Sequence, residues 1–350
     1  MRRIPHSRPL IGTAEHRAVS RVLASGLLVE GQEVAGFERE MARKLGRRHA
    51  AAVSSGTAAL HLALTALGIG SGDRVALPSY VCAALLHAVE LVGAKPLLID
   101  IDPSTFNLDP DDLRKRLRSG TKAVIVPHMF GLPASITEIA ACGVPIIEDC
   151  ALALGAKYRR KPVGSLGVLS IVSFYATKMI ACGEGGMVLG NRAGLLQDIL
   201  DRRSYDGRSK HRLRFNYKMT DLQAALGKAQ LRRLSDFVRR RRRLATFYTK
   251  KLRGGPWDLP PLDRDHCFYR FVARPRRGTE RLLVELERHG IEARRPVFRP
   301  LHRYLGLQGF PGADEAYRRA VSIPLYPALS SVEAERVARV TVQVGNRLSR

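Results

Sequence analysis

A single lysine, Lys178, stands between an apolar, strand-like run and a glycine cluster in the stretch VSFYATKMIACGEGGMV, residues 172–188. A lysine at a strand end can sit in a desolvated pocket, lose its proton and form a Schiff base with a carbonyl. Strand alternation could point the hydroxyl of Ser173 toward the same pocket. Gly183, Gly185 and Gly186 would let the chain turn tightly around a bound group. An arbitrary lysine is more often a surface charge, so the neighbouring motifs must decide between the two.

Three further constellations bear on that choice. In AVSSGTAALHLALTALG, Ser55, Gly56 and Thr57 precede a helical pattern rich in Ala and Leu. Free N–H groups at a helix start, with small residues that allow close approach, make a phosphate cradle, although Ser-Gly-Thr is also an ordinary helix cap. In PIIEDCALALGA, Asp149 ends a buried strand, where an unpaired carboxylate is costly. A protonated pyridine nitrogen would partner it, and so would a structural salt bridge or a helix cap. In FNYKMTDLQAALGKAQL, Asn216 and Tyr217 come just before a capped helix and by themselves read as turn chemistry.

The elements that must position these residues follow from periodicity. The aliphatic runs RVALPSY, PLLIDI, KAVIVPHMF and VPIIEDC alternate with helical patterns such as VCAALLHAVELVG. Runs apolar on both faces and separated by helices predict a mostly parallel sheet sandwiched by helices, with ligands at the carboxyl ends of its strands. Thr220 and Asp221 open one long predicted helix running to Gly254. The remainder mixes short strands, helices and proline-bounded loops, which predicts a large α/β domain over 1–235 and a smaller α+β domain over 236–350.

Composition narrows the function classes. Within 350 residues, 58 Lys and Arg against 32 Asp and Glu give a formal net charge of +26, a field that attracts polyanions and anionic small molecules. The densest run, Arg239 to Arg243, could be a nucleic-acid patch, but no recognition motif accompanies it, and a solvated helix face is the favoured reading. Five scattered cysteines without CxxC spacing indicate neither a disulfide framework nor a metal site. No apolar stretch approaches a membrane span and the N-terminus lacks a signal-peptide core, so a cytoplasmic location is expected.

Taken in order, the cradle, the strand-end Asp, the strand-end Lys and the following Asn resemble the DegT-type sugar aminotransferases. These are pyridoxal 5′-phosphate (PLP) enzymes of fold type I, the aspartate aminotransferase fold. The resemblance runs from RPLIGTAEHRAVSRVLASGLLVEGQEVAGFEREMARKLG through SSGTAALHLAL, IEDCALALGA and SFYATKMIACGEGG to IPLYPALS. It implies that Lys178 holds PLP, that Asp149 pairs with the pyridine nitrogen, and that Gly56, Thr57 and Ser173 bind the phosphate. It also implies that Asn216 reaches the cofactor of a neighbouring subunit, and hence a homodimer with shared active sites. The donor it implies is L-glutamate or L-glutamine, and the acceptor a nucleotide-linked keto sugar. A non-nucleotide carbonyl acceptor, or a regulatory protein on the same scaffold, is the alternative.

Two positions depart from the family pattern. Leu152 stands where the family usually has a glutamine, and Cys82 where it often has an aromatic residue over the cofactor ring. Neither side chain reproduces an amide hydrogen bond or full stacking. Retention of Lys178 disfavours the family's dehydratase branch. Arg294, Arg295, Arg299 and His302 in RRPVFRPLHRY are the candidates for an acceptor diphosphate, which arginines bind bidentately.

Overall fold

The computed structural model describes residues 3–349. Twelve strands are present among them: β1 (His49–Val53), β2 (Arg74–Pro78), β3 (Lys95–Ile99), β4 (Thr121–Pro127), β5 (Ile146–Asp149), β6 (Lys157–Tyr158), β7 (Lys161–Pro162), β8 (Leu169–Ser173), β9 (Gly186–Gly190), β10 (Trp257–Asp258), β11 (Phe271–Pro275) and β12 (Val321–Ile323). Seven form the main sheet in the order β1-β9-β8-β5-β4-β2-β3, in which β9 alone runs against the others. The carboxyl ends of β1, β2, β4, β5 and β8 therefore share one edge.

Alternation along the strands explains the two covering layers. Val75, Leu77, Ala123 and Ile125 join one cluster, beneath the helices Gly56–Ala66 and Ala84–Leu91. Their neighbours Ala76, Val124 and Val126 join another, against Leu113, Ile136 and Ile139. Successive side chains on a strand point to opposite faces, so strands apolar at every position need helices on both sides. The sandwiched, mostly parallel sheet is the architecture expected.

A second, antiparallel sheet, β10-β11-β12, packs against the helices Leu234–Leu252 and Ser331–Ser349 around a separate apolar cluster. Ile4 is buried in this cluster too, paired in parallel with Ile291.

The single helix expected from Thr220 to Gly254 is instead two, Asp221–Arg232 and Leu234–Leu252. The break falls at Arg233, with φ −95° and ψ −2°, whose guanidinium reaches back 2.7 Å to the buried carboxylate of Glu15. The arginine run on the second helix is not a uniformly solvated face. Arg240 donates to Leu329 O, Arg241 to Tyr269 O and Leu325 O, and Arg242 to His266 O. Three of the five arginines thus satisfy main-chain carbonyls, a structural use of the run. Among the described residues no helix is long and apolar enough to cross a membrane.

Candidate active site

A cavity of about 900 Å³ opens at the carboxyl edge of the main sheet. The Ser55–Thr57 segment forms part of its wall. Ser55 caps the helix Gly56–Ala66, its Oγ accepting the Ala58 N–H at 3.0 Å, which leaves the Gly56 and Thr57 N–H groups at the open first turn. β9 opens between the ends of β1 and β8, with Gly186 in register with both Val53 and Ser173. A Cβ on Gly186 would strike Ser55 O, so only glycine lets the three ends meet.

Asp149 closes β5 and lines the same cavity. Its carboxylate accepts the Ala151 N–H at 2.9 Å, its one hydrogen bond among the described residues. Burial pushes this carboxyl up, against the pull of the Ala151 N–H, Lys178 and His128. Lys178 follows β8 in a turn held by its own N–H to Tyr175 O, and its Nζ lies 5.7 Å from the Tyr269 ring centroid.

Behind Asp149, Glu148 is wholly buried, yet it accepts N–H groups from Gly164, Leu166 and Gly167. His128 Nδ1 accepts the Ala134 N–H, so its Nε2 carries the proton and donates to Glu148 at 3.2 Å. Burial opposes ionisation of Glu148, but His128 and these N–H donors outweigh it and hold the carboxyl below its usual range. His128, Glu148 and Cys150 lie close enough to share a metal ion, but backbone donors already occupy the Glu148 oxygens.

The opposite wall contains residues that sequence motifs did not single out. Tyr269 and Arg270 precede β11, after Phe268 at φ +54°, a conformation that costs energy for a bulky residue and is held by packing. Gly131 presses on this segment so closely that a Cβ there would lie 2.6 Å from Cys267 Sγ. The Arg270 guanidinium stacks 4.7 Å from the Tyr269 centroid and donates to its hydroxyl at 3.3 Å. Burial opposes ionisation of the Tyr269 phenol, but Arg270, Lys178 and Thr177 overcome it and hold its pKa down at about 8. His6, also on this wall, is driven down to about 2 by burial and by Arg270 and Arg294, and is therefore neutral.

The structure brings Lys178, Asp149, Gly56, Thr57, Ser173, Cys82, Leu152, Arg294, Arg295 and Arg299 to this one cavity. Two expected site residues are not among its lining. Asn216 is exposed, although the Ser54 N–H to Tyr217 O bond keeps its loop beside the cradle. His302 is 3% exposed, bonded to Ser79 Oγ at 2.6 Å and Asp314 at 3.3 Å and stacked on Phe310, so it supports the wall from behind. Burial lowers its pKa, with Asp314 opposing.

The comparison with protein families decides what this arrangement belongs to. The model of the DegT/DnrJ/EryC1/StrS aminotransferase family matches residues 9–342. The chain belongs to this family. The DegT/DnrJ/EryC1/StrS relatives include GDP-perosamine synthase of Escherichia coli O157:H7, 33% identical over 357 residues that cover 95% of each chain. Among solved structures, the aminotransferase TlmJ from Streptoalloteichus hindustanus is 30% identical with a TM-score of 0.94, over 99% of this chain and 100% of that one. DesV of S. venezuelae, in complex with a ketimine intermediate, is 32% identical with a TM-score of 0.90, over 95% and 94% of the two chains. The chain is a PLP-dependent aminotransferase of fold type I.

The residues present fit that cofactor. The cradle is too tight for a Cβ at Gly56, which would come within 2.9 Å of the Ser173 Cβ, so backbone N–H groups are open to a phosphate. The buried Asp149 carboxylate has one backbone partner and room for a cationic ring nitrogen.

Proposed function

We propose that the enzyme moves the amino group of L-glutamate or L-glutamine to a ketone carbon of a nucleotide-linked sugar. The observation that supports this reading is the convergence of Asp149, Lys178 and the Gly56, Thr57 and Ser173 cradle on one cavity with arginines in its wall. The relatives named above, among them a GDP-perosamine synthase, support a sugar as acceptor.

Each residue has a role in that reading. Gly56, Thr57 and Ser173 bind the cofactor phosphate through N–H and hydroxyl groups, and Asp149 pairs with the ring nitrogen and keeps it protonated. When bound, PLP supplies an electron-withdrawing ring that stabilises the charge left as a proton leaves the donor carbon. Lys178 Nζ would hold the cofactor covalently and, as the amine nearest the donor carbon, would take up and return that proton. Cys82 and Leu152, both lining the cavity, would lie beside the ring, where neither offers an amide hydrogen bond or full stacking. Arg294, Arg295 and Arg299 receive the acceptor's diphosphate. Asn216, exposed and outside its own cavity, would reach the cofactor of a second copy, so the working unit in this reading is a homodimer with shared sites; a cytoplasmic location accords with the absence, among the described residues, of a helix able to cross a membrane.

A half-reaction experiment tests this. PLP-loaded protein is exhausted with glutamate, and a panel of nucleotide-linked keto sugars is then offered. Recovery of the original cofactor absorbance with a panel member is expected. No recovery with any sugar, or a complete cycle by Lys178→Ala, would overturn the reading.

A further inference from the structure

The cavity arginines are not equivalent. Arg294 and Arg295 are already paired with Glu292 and Glu280, and Arg299 is exposed and donates to Arg303 O at 2.8 Å. Arg270 is half-buried and, among the described residues, has no carboxylate partner. Its guanidinium makes two long hydrogen bonds, 3.4 Å to His6 O and 3.3 Å to the Tyr269 hydroxyl. Arg240, Arg241 and Arg242 also lack an acid but are satisfied by carbonyls at 2.7–3.0 Å, whereas Arg270 lines the cavity with only these two long bonds, so its guanidinium is left for an anion that arrives from outside.

Its position says which anion. The Tyr269 ring lies against both the Arg270 guanidinium, 4.7 Å from the centroid, and Lys178 Nζ, 5.7 Å from it. An amino acid donor carries its amine and its α-carboxylate on the same carbon. A group that binds this carboxylate must therefore lie one short span from Lys178, where the amine reacts. An acceptor's diphosphate is separated from its ketone carbon by part of a sugar ring and belongs farther off, toward Arg294, whose side chain is 64% exposed. His6 next to Arg270 is neutral and adds no competing charge, and Arg294 adds to the positive field.

We infer that Arg270 binds the α-carboxylate of the amino donor and, with the Tyr269 ring as its fixed support, determines that the donor is an α-amino acid. The inference rests on the aminotransferase reading above. Arg270 is held for this by the main chain: Phe268 in the left-handed region turns the segment, and Arg241 ties the Tyr269 carbonyl to the helix behind it at 3.0 Å.

The test uses the PLP-loaded enzyme and single-turnover absorbance with the two half-reactions measured separately. In Arg270→Gln the apparent Kd for L-glutamate should rise roughly 100-fold, the scale for removing one partner of a desolvated charge pair. The apparent Kd for the acceptor sugar, measured on the aminated enzyme, should stay within about threefold. Arg270→Lys, which keeps the charge but loses the fork, should recover part of the donor affinity. Equal losses in both half-reactions, an unchanged donor Kd, or no rescue by lysine would overturn the assignment. If no sugar is accepted by the wild-type enzyme, the acceptor reading fails, while the donor titrations of the Gln and Lys variants still decide the role of Arg270.

Discussion

Gly56 and Ser173 face each other with no room for a side chain between them: a Cβ on Gly56 would lie 2.9 Å from the Ser173 Cβ and 3.2 Å from its Oγ. The obstructing Cβ belongs to a strand end rather than to a flexible tip, so a methyl group there must push the cradle open. Gly56→Ala should therefore weaken PLP binding about tenfold or more, the scale of a core overpacking cost. Fluorescence titration of apoenzyme with PLP measures it, and a variant that binds as tightly as wild type would contradict the geometry.

Asp149→Asn preserves shape and removes the negative charge beside the ring nitrogen. Loss of a pre-organised charge in a buried site should lower kcat at least about 100-fold. Cofactor content, read from absorbance, should be largely retained. Steady-state rates at saturating donor and acceptor provide the comparison.

Acid stability should carry the mark of His6. Its folded pKa of about 2 lies below its ordinary value of 6.5, so the unfolded chain binds a proton that the folded chain refuses. Stability from this group is full above pH 6.5 and falls by about 1.4 kcal/mol per unit as pH drops from 6.5 toward 2. His266, lowered to about 4 by burial, adds a similar slope over a narrower window. His6→Asn should flatten the dependence of unfolding free energy on pH between about 6.5 and 5 relative to wild type, as urea titrations at several pH values would reveal.

The arginine run should divide by what each side chain touches. Arg240→Ala and Arg242→Ala each leave a main-chain carbonyl without its donor, at 2.7 Å from Leu329 and 2.9 Å from His266 respectively. Each should cost about 1–2 kcal/mol. Arg239→Ala, which loses only an exposed pair with Asp236, should stay within about 0.5 kcal/mol. Chemical denaturation distinguishes the two groups, and a uniform effect across the run would argue against structural roles.

The half of the cavity built from strand ends was legible in the sequence because each member carries a local signal. Asp149 closes an aliphatic run, Lys178 precedes a glycine cluster, and Ser55 to Thr57 open a helix. Of the other half, the sequence singled out Arg294, Arg295 and Arg299 but neither His6 nor Arg270, which come from separated stretches that tertiary packing alone brings together. The signal that could have found Arg270 is its place beside Tyr269 just before the short apolar run Phe271–Pro275. β1 was also missed: its HAAAV sequence is poor in strand-favouring residues, and it is ordered by pairing with β9. The bend at Arg233 has no glycine or proline to announce it, and coincides with an ion pair to a distant helix.

The pairing of Ile4 with Ile291 also has a consequence in time. Ile4 N–H donates to Gly290 O, and Ile4 O accepts from the Glu292 N–H, so this segment finds its partners only after about 285 further residues have been made. At about 5–20 residues per second, a ribosome needs on the order of 15 to 60 s to deliver them. All seven strands of the main sheet emerge well before that, and the wall bearing His6 is seated last. A nascent chain arrested before residue 290 would thus own its cofactor cradle and still lack one side of the chamber in which the cofactor is used.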